Sequence, residues 1–328
     1  MIFKLLLWDC KRIKRNLSVT IIFFVIVPGC EKEIEILIPR PNQHYVINCL
    51  FQPFTLPYVQ NTTVSVNQTV GFLDSLDFPV IDDAKVSLYY NDSLIGDFEF
   101  KSDTQLYATN ANSNFLPGIY QLRVEHNGNT IDASDILPEK VNLKRLSILP
   151  LAGKNNLGNV YSKVNFIFTD PIDEVNFYEI SITQNALSVP YDISTDFSAI
   201  ITEPYYPTVL SIDQEYPETL PFSDKTFNGK EVSVPVYYVP PWYPNENVVQ
   251  PHNITLHFRT ISENYYMYKV SLLKQGYSIR NDIIYGQGEP LNVYTNIPLN
   301  YGIFAGYQSV DQTFIIDNND FIEYEVVK

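Results

Sequence analysis

The sequence predicts an all-β protein made of two tandem antiparallel β-sandwich-like domains, with one helix packed on the second. Three observations support this fold class. Apolar and polar residues alternate over many short segments, which is the period of a half-buried strand. Turn residues such as Asn127-Gly128 separate these segments. Only one segment, at about residues 262–275, has the length and the end signals of a helix.

The N-terminal domain is predicted over residues 42–139, as an Ig/transthyretin-like sandwich of about seven short strands. The clearest strand patterns are His44–Phe51, Thr63–Thr69, Asp83–Tyr90, Leu94–Phe100, Tyr120–Glu125 and Thr130–Ser134. Cys49 lies in an apolar strand pattern, so we expect it to be a buried and unreactive thiol.

The C-terminal domain is predicted over residues 140–328. Ser262 resembles a helix N-cap, and Gly276 stands where a glycine would end the helix that begins there. The expected strands are Val164–Phe168, Tyr178–Ile182, Asn253–Thr260, Asn292–Asn296, Gly302–Tyr307, Thr313–Ile316 and Phe321–Val327.

The N-terminal residues have the order of a bacterial lipoprotein signal. Four basic residues within Lys11–Arg15 precede an apolar run, Leu17–Val27, which is too short to span a bilayer. Pro28-Gly29-Cys30 then ends the run. We therefore predict a signal peptide over residues 1–29, lipidation at Cys30 and a tether over residues 30–41. An ordinary secretion signal with an incidental cysteine remains the alternative.

The charge of the chain excludes some classes of partner. The formal net charge is −15, and residues 1–29 carry a net charge of +4, so the mature chain would carry about −19. An anionic surface without a basic stripe argues against binding to nucleic acid. It also argues against adhesion to anionic headgroups, so we expect the protein to reach the membrane through its lipid alone.

The histidines match no catalytic motif. His44, His126, His252 and His257 lie outside any nucleophile elbow or zinc-protease helix. His252 and His257 are five residues apart on a predicted strand, so they should face opposite sides of the sheet. We therefore expect no enzyme activity and no cofactor.

Two acidic turns could supply oxygen ligands to calcium. They are Asp170–Asp173 and Asp317–Asp320, and neither has the spacing of a known calcium loop. Asx-turns between strands explain both segments, so no metal site is predicted. A pair of glycosidase carboxylates cannot be recognised from spacing, because its geometry is tertiary.

A proline-rich aromatic segment, Tyr237–Tyr243, is the best candidate for binding. Exposed tyrosine and tryptophan rings give a large contact area at little entropic cost, and they stack on sugar rings or apolar side chains. We therefore predict an exposed binding surface of Tyr238, Trp242 and Tyr243. In the alternative interpretation these rings close the rim of the sandwich.

Several short motifs match one family in order along nearly the whole mature chain. They are Cys30–Glu35, Tyr45–Asn48, Ala84–Leu88, Gly118–Tyr120, Phe222–Lys225, Phe227–Gly229, Ser262–Leu272, Thr295–Ile297 and Gly302–Tyr307. The chain resembles an uncharacterised family of Bacteroidota outer-membrane lipoproteins, which is known as a domain of unknown function. It differs from the family at Cys49, where glycine is more usual, and at Asn300-Tyr301, which replace a glycine-rich approach to Gly302.

The resemblance implies a function without implying any catalytic residue. Genes of this family commonly lie beside those of SusC-type TonB-dependent receptors. We therefore expect a lipid-anchored outer-membrane accessory protein of nutrient uptake, which binds the receptor or its glycan or peptide ligand without catalysis. The alternatives are a structural or adhesive surface lipoprotein and an enzyme acting on glycans or peptides.

Overall fold

The structure, a computed structural model, describes residues 43–326 apart from 54–61, 72–78, 110–114, 155–157, 173, 185–188, 196–216, 244, 246 and 286–290. The side chains of residues 277 and 279–285 are also outside the description. The predicted signal peptide, Cys30 and the tether over residues 30–41 all lie outside the described residues.

The predicted fold class is confirmed: the described residues form nineteen strands and one helix. The first seven strands are β1 (Tyr45–Phe51), β2 (Thr63–Gln68), β3 (Lys85–Tyr90), β4 (Ser93–Lys101), β5 (Leu106–Ala108), β6 (Gly118–His126) and β7 (Asn129–Leu137). The next seven are β8 (Leu143–Lys154), β9 (Val160–Thr169), β10 (Phe177–Gln184), β11 (Val189–Pro190), β12 (Ile193–Thr195), β13 (Thr219–Ser223) and β14 (Glu231–Tyr238). The remaining elements are β15 (Trp242–Tyr243), β16 (Val248–Val249), β17 (His252–Ile261), α1 (Glu263–Tyr285), β18 (Tyr301–Ile316) and β19 (Ile322–Glu325).

Two large hydrophobic clusters lie among the described residues, and a smaller third cluster packs α1 against β17 and β18. The first packs β1 and β2 against β3, β6 and β7, and it includes Phe51, whose ring stacks on Phe304 of β18 at 4.9 Å. The second lies between the sheet β12-β14-β9-β8-β19 and the strands β10, β17 and β18. In that second cluster the rings of Phe168, Tyr178 and Phe258 pack together. Cys49 is buried in the first cluster as expected, and burial raises the pKa of its thiol.

Strand β18 links the two clusters. Its first residues pair with β1, and residues 307–316 pair with β17. The sequence predicts two separate strands here, Gly302–Tyr307 and Thr313–Ile316. This prediction is wrong, because the long strand is continuous. Its pairing with β1 is parallel, whereas the other strand pairs of the described residues are antiparallel, as the sequence predicts. The division of the chain at residues 139/140 stays a prediction.

Gly302 allows the close approach of β18 to β1. Its φ of +103° lies in the region that favours glycine. It pairs with Ile47, and a Cβ at this position would overlap the Ile47 carbonyl group. The parallel pairing therefore depends on this glycine.

Helix α1 covers the outer face of the sheet around β10, β17 and β18. The Ser262 Oγ accepts a hydrogen bond from the Tyr265 amide at 3.1 Å, which confirms the predicted N-cap. The predicted end at Gly276 is wrong, because the helix continues to Tyr285. A glycine inside a helix costs only about 1 kcal/mol, and no proline follows until Pro290.

The predicted strand Asn292–Asn296 is also wrong, because these residues have no regular structure. The Asn296 side chain accepts a hydrogen bond from the Phe304 amide at 3.0 Å and donates one to the Phe304 carbonyl at 2.7 Å. Its amide therefore satisfies the groups of β18 that the backbone of a neighbouring strand would have paired.

Asp135 of β7 joins three elements through a buried carboxylate. It accepts hydrogen bonds from the Gly306 amide at 2.7 Å and from the Asn264 side chain of α1 at 2.8 Å. Burial raises the pKa of Asp135 to about 6, although its hydrogen bonds with Ser262, Gly306 and Asn264 oppose the shift. This carboxylate ties β7 to β18 and to the start of the helix.

A second buried carboxylate lies beneath α1. Glu179 of β10 is fully buried, and it forms ion pairs with Arg259 of β17 at 2.6 Å and Lys269 of α1 at 3.1 Å. Burial alone would raise the pKa of Glu179, but the charges of Lys269 and Arg259 outweigh it and lower the pKa to about 2. The network fastens the helix to the sheet.

Candidate functional site

A short hairpin presents the aromatic residues predicted to bind. Strand β15 pairs with β16, so that Trp242 lies opposite Val249 and Tyr243 lies opposite Val248. Pro240 and Pro241 precede it and fix their own φ angles. We call residues 242–249 the aromatic hairpin.

Side chains from outside the hairpin hold it in place. The Asn319 Oδ1 accepts a hydrogen bond from the Val249 amide at 3.0 Å, and its Nδ2 donates to the Asn247 carbonyl at 3.0 Å. The Gln250 Nε2 donates to the Trp242 carbonyl at 3.1 Å. Asn319 lies in the acidic turn Asp317–Asp320, and its role was not visible in the sequence because the two segments are far apart along the chain.

The structure separates the three predicted binding residues. Tyr238 is only 1% exposed, because Val234, Val236 and Tyr238 of β14 alternate toward the second cluster. The prediction that Tyr238 is exposed is therefore wrong. Trp242 is partly exposed and Tyr243 is 43% exposed, so these two rings alone remain accessible.

One charged contact lies at the hairpin. The Lys154 ammonium group lies 5.1 Å from the centroid of the Trp242 ring. Such a cation–π contact orients the indole and occupies one of its faces. The accessible aromatic surface therefore consists of the rest of Trp242 and the ring of Tyr243.

A pocket of about 520 Å³ adjoins the start of the hairpin. Its lining consists of neutral side chains: Gln184, Tyr191, Val239, Pro240, Pro241, His252 and Asn253. The volume is within the range of about 300–1,000 Å³ that ligand pockets occupy. The side-chain amides of Gln184 and Asn253 can hydrogen-bond a ligand, but the lining has no charge to compensate a charged one. The pocket therefore suits a neutral, polar ligand better than a charged ligand.

His252 lines this pocket, and both of its ring nitrogens have hydrogen-bond partners. Its Nδ1–H donates to the Gln250 carbonyl at 2.7 Å, and its Nε2 accepts a hydrogen bond from the Tyr238 hydroxyl at 3.0 Å. Burial lowers its pKa. Because both ring nitrogens have partners, the imidazole is a structural part of the pocket wall.

His257 points to the opposite face of β17, as its spacing from His252 predicted. Its Nδ1 lies 2.7 Å from Asp311 Oδ1, and its Nε2 lies 2.9 Å from the Thr183 hydroxyl. This hydroxyl–imidazole–carboxylate order resembles a catalytic relay. However, the three residues are cross-strand neighbours on β10, β17 and β18, and the pocket around His252 is on the other face. Sequence reasoning missed this network because strand pairing, not spacing, brings it together.

The acidic turns serve the fold. Asp170 accepts hydrogen bonds from the Tyr178 hydroxyl and from the Gly229 amide, and the Asn318 side chain accepts one from the Asp320 amide at 2.7 Å. Asp173 lies outside the described residues. Within the described part of the chain, no three histidine, cysteine or acidic side chains are grouped as metal ligands.

In the described part of the chain, no helix has the length and apolarity needed to cross a membrane.

Comparison with known proteins identifies the family. The comparison with curated proteins and the comparison with solved structures gave no significant match. The family model of a domain of unknown function, DUF4249, matches residues 31–313, which is most of the chain. The protein therefore belongs to the DUF4249 family.

Proposed function

We propose that the protein is a lipid-anchored accessory protein of a TonB-dependent uptake system in the outer membrane of Bacteroidota. In this proposal it binds the receptor or the imported nutrient and carries out no chemistry. A structural or adhesive surface lipoprotein is the alternative, and an enzyme acting on glycans or peptides is a weaker one.

The membrane part of the proposal is supported by the order of residues near the N-terminus. A basic block, an apolar run of signal-peptide length and Cys30 follow one another, and acidic residues begin directly after the cysteine. The family resemblance adds the expectation of a neighbouring receptor. The strongly negative charge of the chain disfavours charge-driven adhesion of the body to anionic headgroups.

One observation supports the proposal that the protein binds a partner. The aromatic hairpin is held in place by hydrogen bonds from Asn319, and it lies beside a pocket lined by neutral side chains. A binding surface that is already rigid loses little entropy when a partner docks. The Asn319 hydrogen bonds fix the backbone of the hairpin, and Lys154 restricts the Trp242 ring. Both ring nitrogens of the nearby His252 are hydrogen-bonded, to Tyr238 and to Gln250, which favours binding over catalysis at this pocket.

Co-purification would test the proposal most broadly. The protein would be isolated from detergent-solubilised outer membrane under conditions that preserve complexes, and its partners would be identified by mass spectrometry. Recovery with a TonB-dependent receptor would support the uptake role. Recovery without any receptor would favour the adhesive alternative.

Removing the two accessible rings should weaken binding without unfolding the protein. For the double variant Trp242→Ala/Tyr243→Ala we expect affinity for the co-purified partner to fall at least tenfold, because buried aromatic contacts contribute about 2 kcal/mol or more. Titration calorimetry would measure the affinity, and the melting temperature would report folding.

The variant Tyr324→Ala provides a matched control. Tyr324 is 37% exposed, close to the value for Tyr243, and it lies on β19 instead of the hairpin. We expect this variant to bind like the wild type. Equal affinity for the folded double variant and the wild type would exclude the hairpin as the binding surface.

A further inference from the structure

The turn before β18 exposes an unusual leucine. Leu299 is 93% exposed, which makes it the most exposed large apolar side chain in the described part of the chain. Its φ is +59°, a conformation that asparagine and glycine adopt more readily than leucine. The position thus combines backbone strain with an apolar side chain in water.

The fold holds this turn firmly. The Asn300 amide donates to the Ile297 carbonyl at 3.1 Å, and the Tyr45 amide donates to the Asn300 Oδ1 at 2.9 Å. The His44 Nδ1–H donates to the Leu299 carbonyl at 3.0 Å. Ile297 is buried in the first cluster. The exposure of Leu299 is therefore imposed by a rigid turn.

A tyrosine enlarges the apolar area. Tyr301 is 51% exposed, and its ring lies 5.4 Å from the His44 ring in an edge-on arrangement. We call Leu299 and Tyr301 the apolar tip. Residues 295–301 and 41–45 contain no Asp, Glu, Lys or Arg, although the chain carries a formal charge of −15. The two segments beside the tip are thus uncharged, whereas the chain as a whole is anionic.

The tip lies where the N-terminal segment joins the body. His44 contacts the turn, and Cys30 is 14 residues before His44 in the sequence. A chain of that length reaches at most about 50 Å when it is fully extended. Strand β18 begins at the tip and runs away from it toward the second cluster. The chain that carries the proposed anchor therefore enters the described part of the protein beside the tip.

We propose that Leu299 and Tyr301 form a second membrane contact, in which the apolar tip enters the headgroup region of the bilayer that holds the acylated Cys30. The inference rests on the proposed lipid anchor. Leucine provides apolar area and tyrosine favours the interface, where its ring is apolar and its hydroxyl is hydrated. The absence of carboxylates from the tip avoids repulsion by anionic headgroups, which the rest of the surface would experience.

Fluorescence quenching by brominated lipids would test the tip directly. The chain has two tryptophans, Trp8 in the predicted signal peptide and Trp242, so the variant Trp242→Phe would leave the mature protein without tryptophan. In this background Leu299→Trp and, separately, Tyr301→Trp would each introduce one reporter. The mature lipoprotein would be reconstituted in phosphatidylethanolamine–phosphatidylglycerol vesicles with brominated acyl chains.

Leu116→Trp in the same background is the matched control. Leu116 is 57% exposed and precedes β6, whose far end at His126 contacts Tyr45 near the tip. The nine residues of β6 span about 30 Å, so this control reporter would lie far from the bilayer. We expect quenching at positions 299 and 301 to exceed quenching at position 116 by roughly threefold or more.

The outcomes separate this inference from the proposed function. Vesicle flotation with equal, weak quenching at all three positions would overturn the membrane tip while leaving the anchor intact. Protein that fails to float would overturn the lipid anchor and the tip together. Protection of positions 299 and 301 from aqueous quenchers only when a co-purified receptor is added would also overturn the inference, because it would assign the tip to a protein partner.

Discussion

Gly302→Ala should unfold the protein or lower its free energy of unfolding by about 4 kcal/mol or more. The added Cβ would overlap the backbone of Ile47 in β1, which cannot move away without breaking the parallel pairing. Alanine also tolerates the φ of +103° poorly. The steric overlap and the backbone strain both act where β18 pairs with β1. The substitution should therefore destabilise both strands. Circular dichroism and urea unfolding would measure the loss.

Gly128→Ala separates backbone strain from steric overlap. Gly128 has a φ of +76° in the turn between β6 and β7, and a Cβ there would meet no other atom within 4 Å. We expect this variant to lose only about 1 kcal/mol. If Gly302→Ala and Gly128→Ala proved equally mild, the close parallel approach of β18 to β1 would be wrong.

Glu179→Gln should have the second largest effect. The substitution keeps the shape of the side chain but leaves the charges of Arg259 and Lys269 beneath α1 without their counter-ion. Breaking a buried ion pair from one side costs about 3–5 kcal/mol, because an uncompensated charge remains buried. Urea unfolding at pH 7 would measure the change, and Glu231→Gln at the exposed pair with Lys144 should change stability little.

The pH dependence provides an independent check on Glu179. Its pKa is lowered to about 2 in the folded protein, whereas an unfolded glutamate titrates near 4.5. The stabilisation is therefore complete above about pH 4.5 and is lost as the pH falls toward 2. Glu179→Gln should remove most of this dependence. An acid-unfolding slope identical in variant and wild type would contradict the network.

Local patterns in the sequence were enough to predict much of the N-terminal half. Tyr120, Leu122 and Val124 alternate with polar residues, and all three are buried in β6. Asn127 and Gly128 adopt the positive φ angles that the hairpin requires. These features depend on neighbours in the chain, so a short window of sequence contains the necessary information.

The remaining features depend on contacts between distant segments. Glu179 alternates with Tyr178 and Ile180 as a solvent-facing residue would, yet α1 covers it. The sequence predicts an exposed Tyr238 in a proline-rich segment, but pairing of β14 with β9 turns its ring into the core. Strand pairing and helix docking decide both positions, and neither can be read from spacing alone.

The candidate site shows the same division. The aromatic segment was visible as a run of prolines, tyrosines and a tryptophan, and Trp242 and Tyr243 are indeed accessible. The hydrogen bonds of Asn319 to the hairpin could not be predicted from the sequence, because Asn319 lies about 70 residues further along the chain. The binding role of Trp242 and Tyr243 stays a prediction.

Metabolic labelling with radioactive palmitate tests the central claim, that acyl chains on Cys30 hold this anionic β-protein at a membrane. We expect label on the wild-type protein and its recovery in the membrane fraction. Cys30→Ser should carry no label and should leave that fraction after a salt wash. An unlabelled wild-type protein, or a serine variant that stays as firmly in the membrane, would contradict the claim.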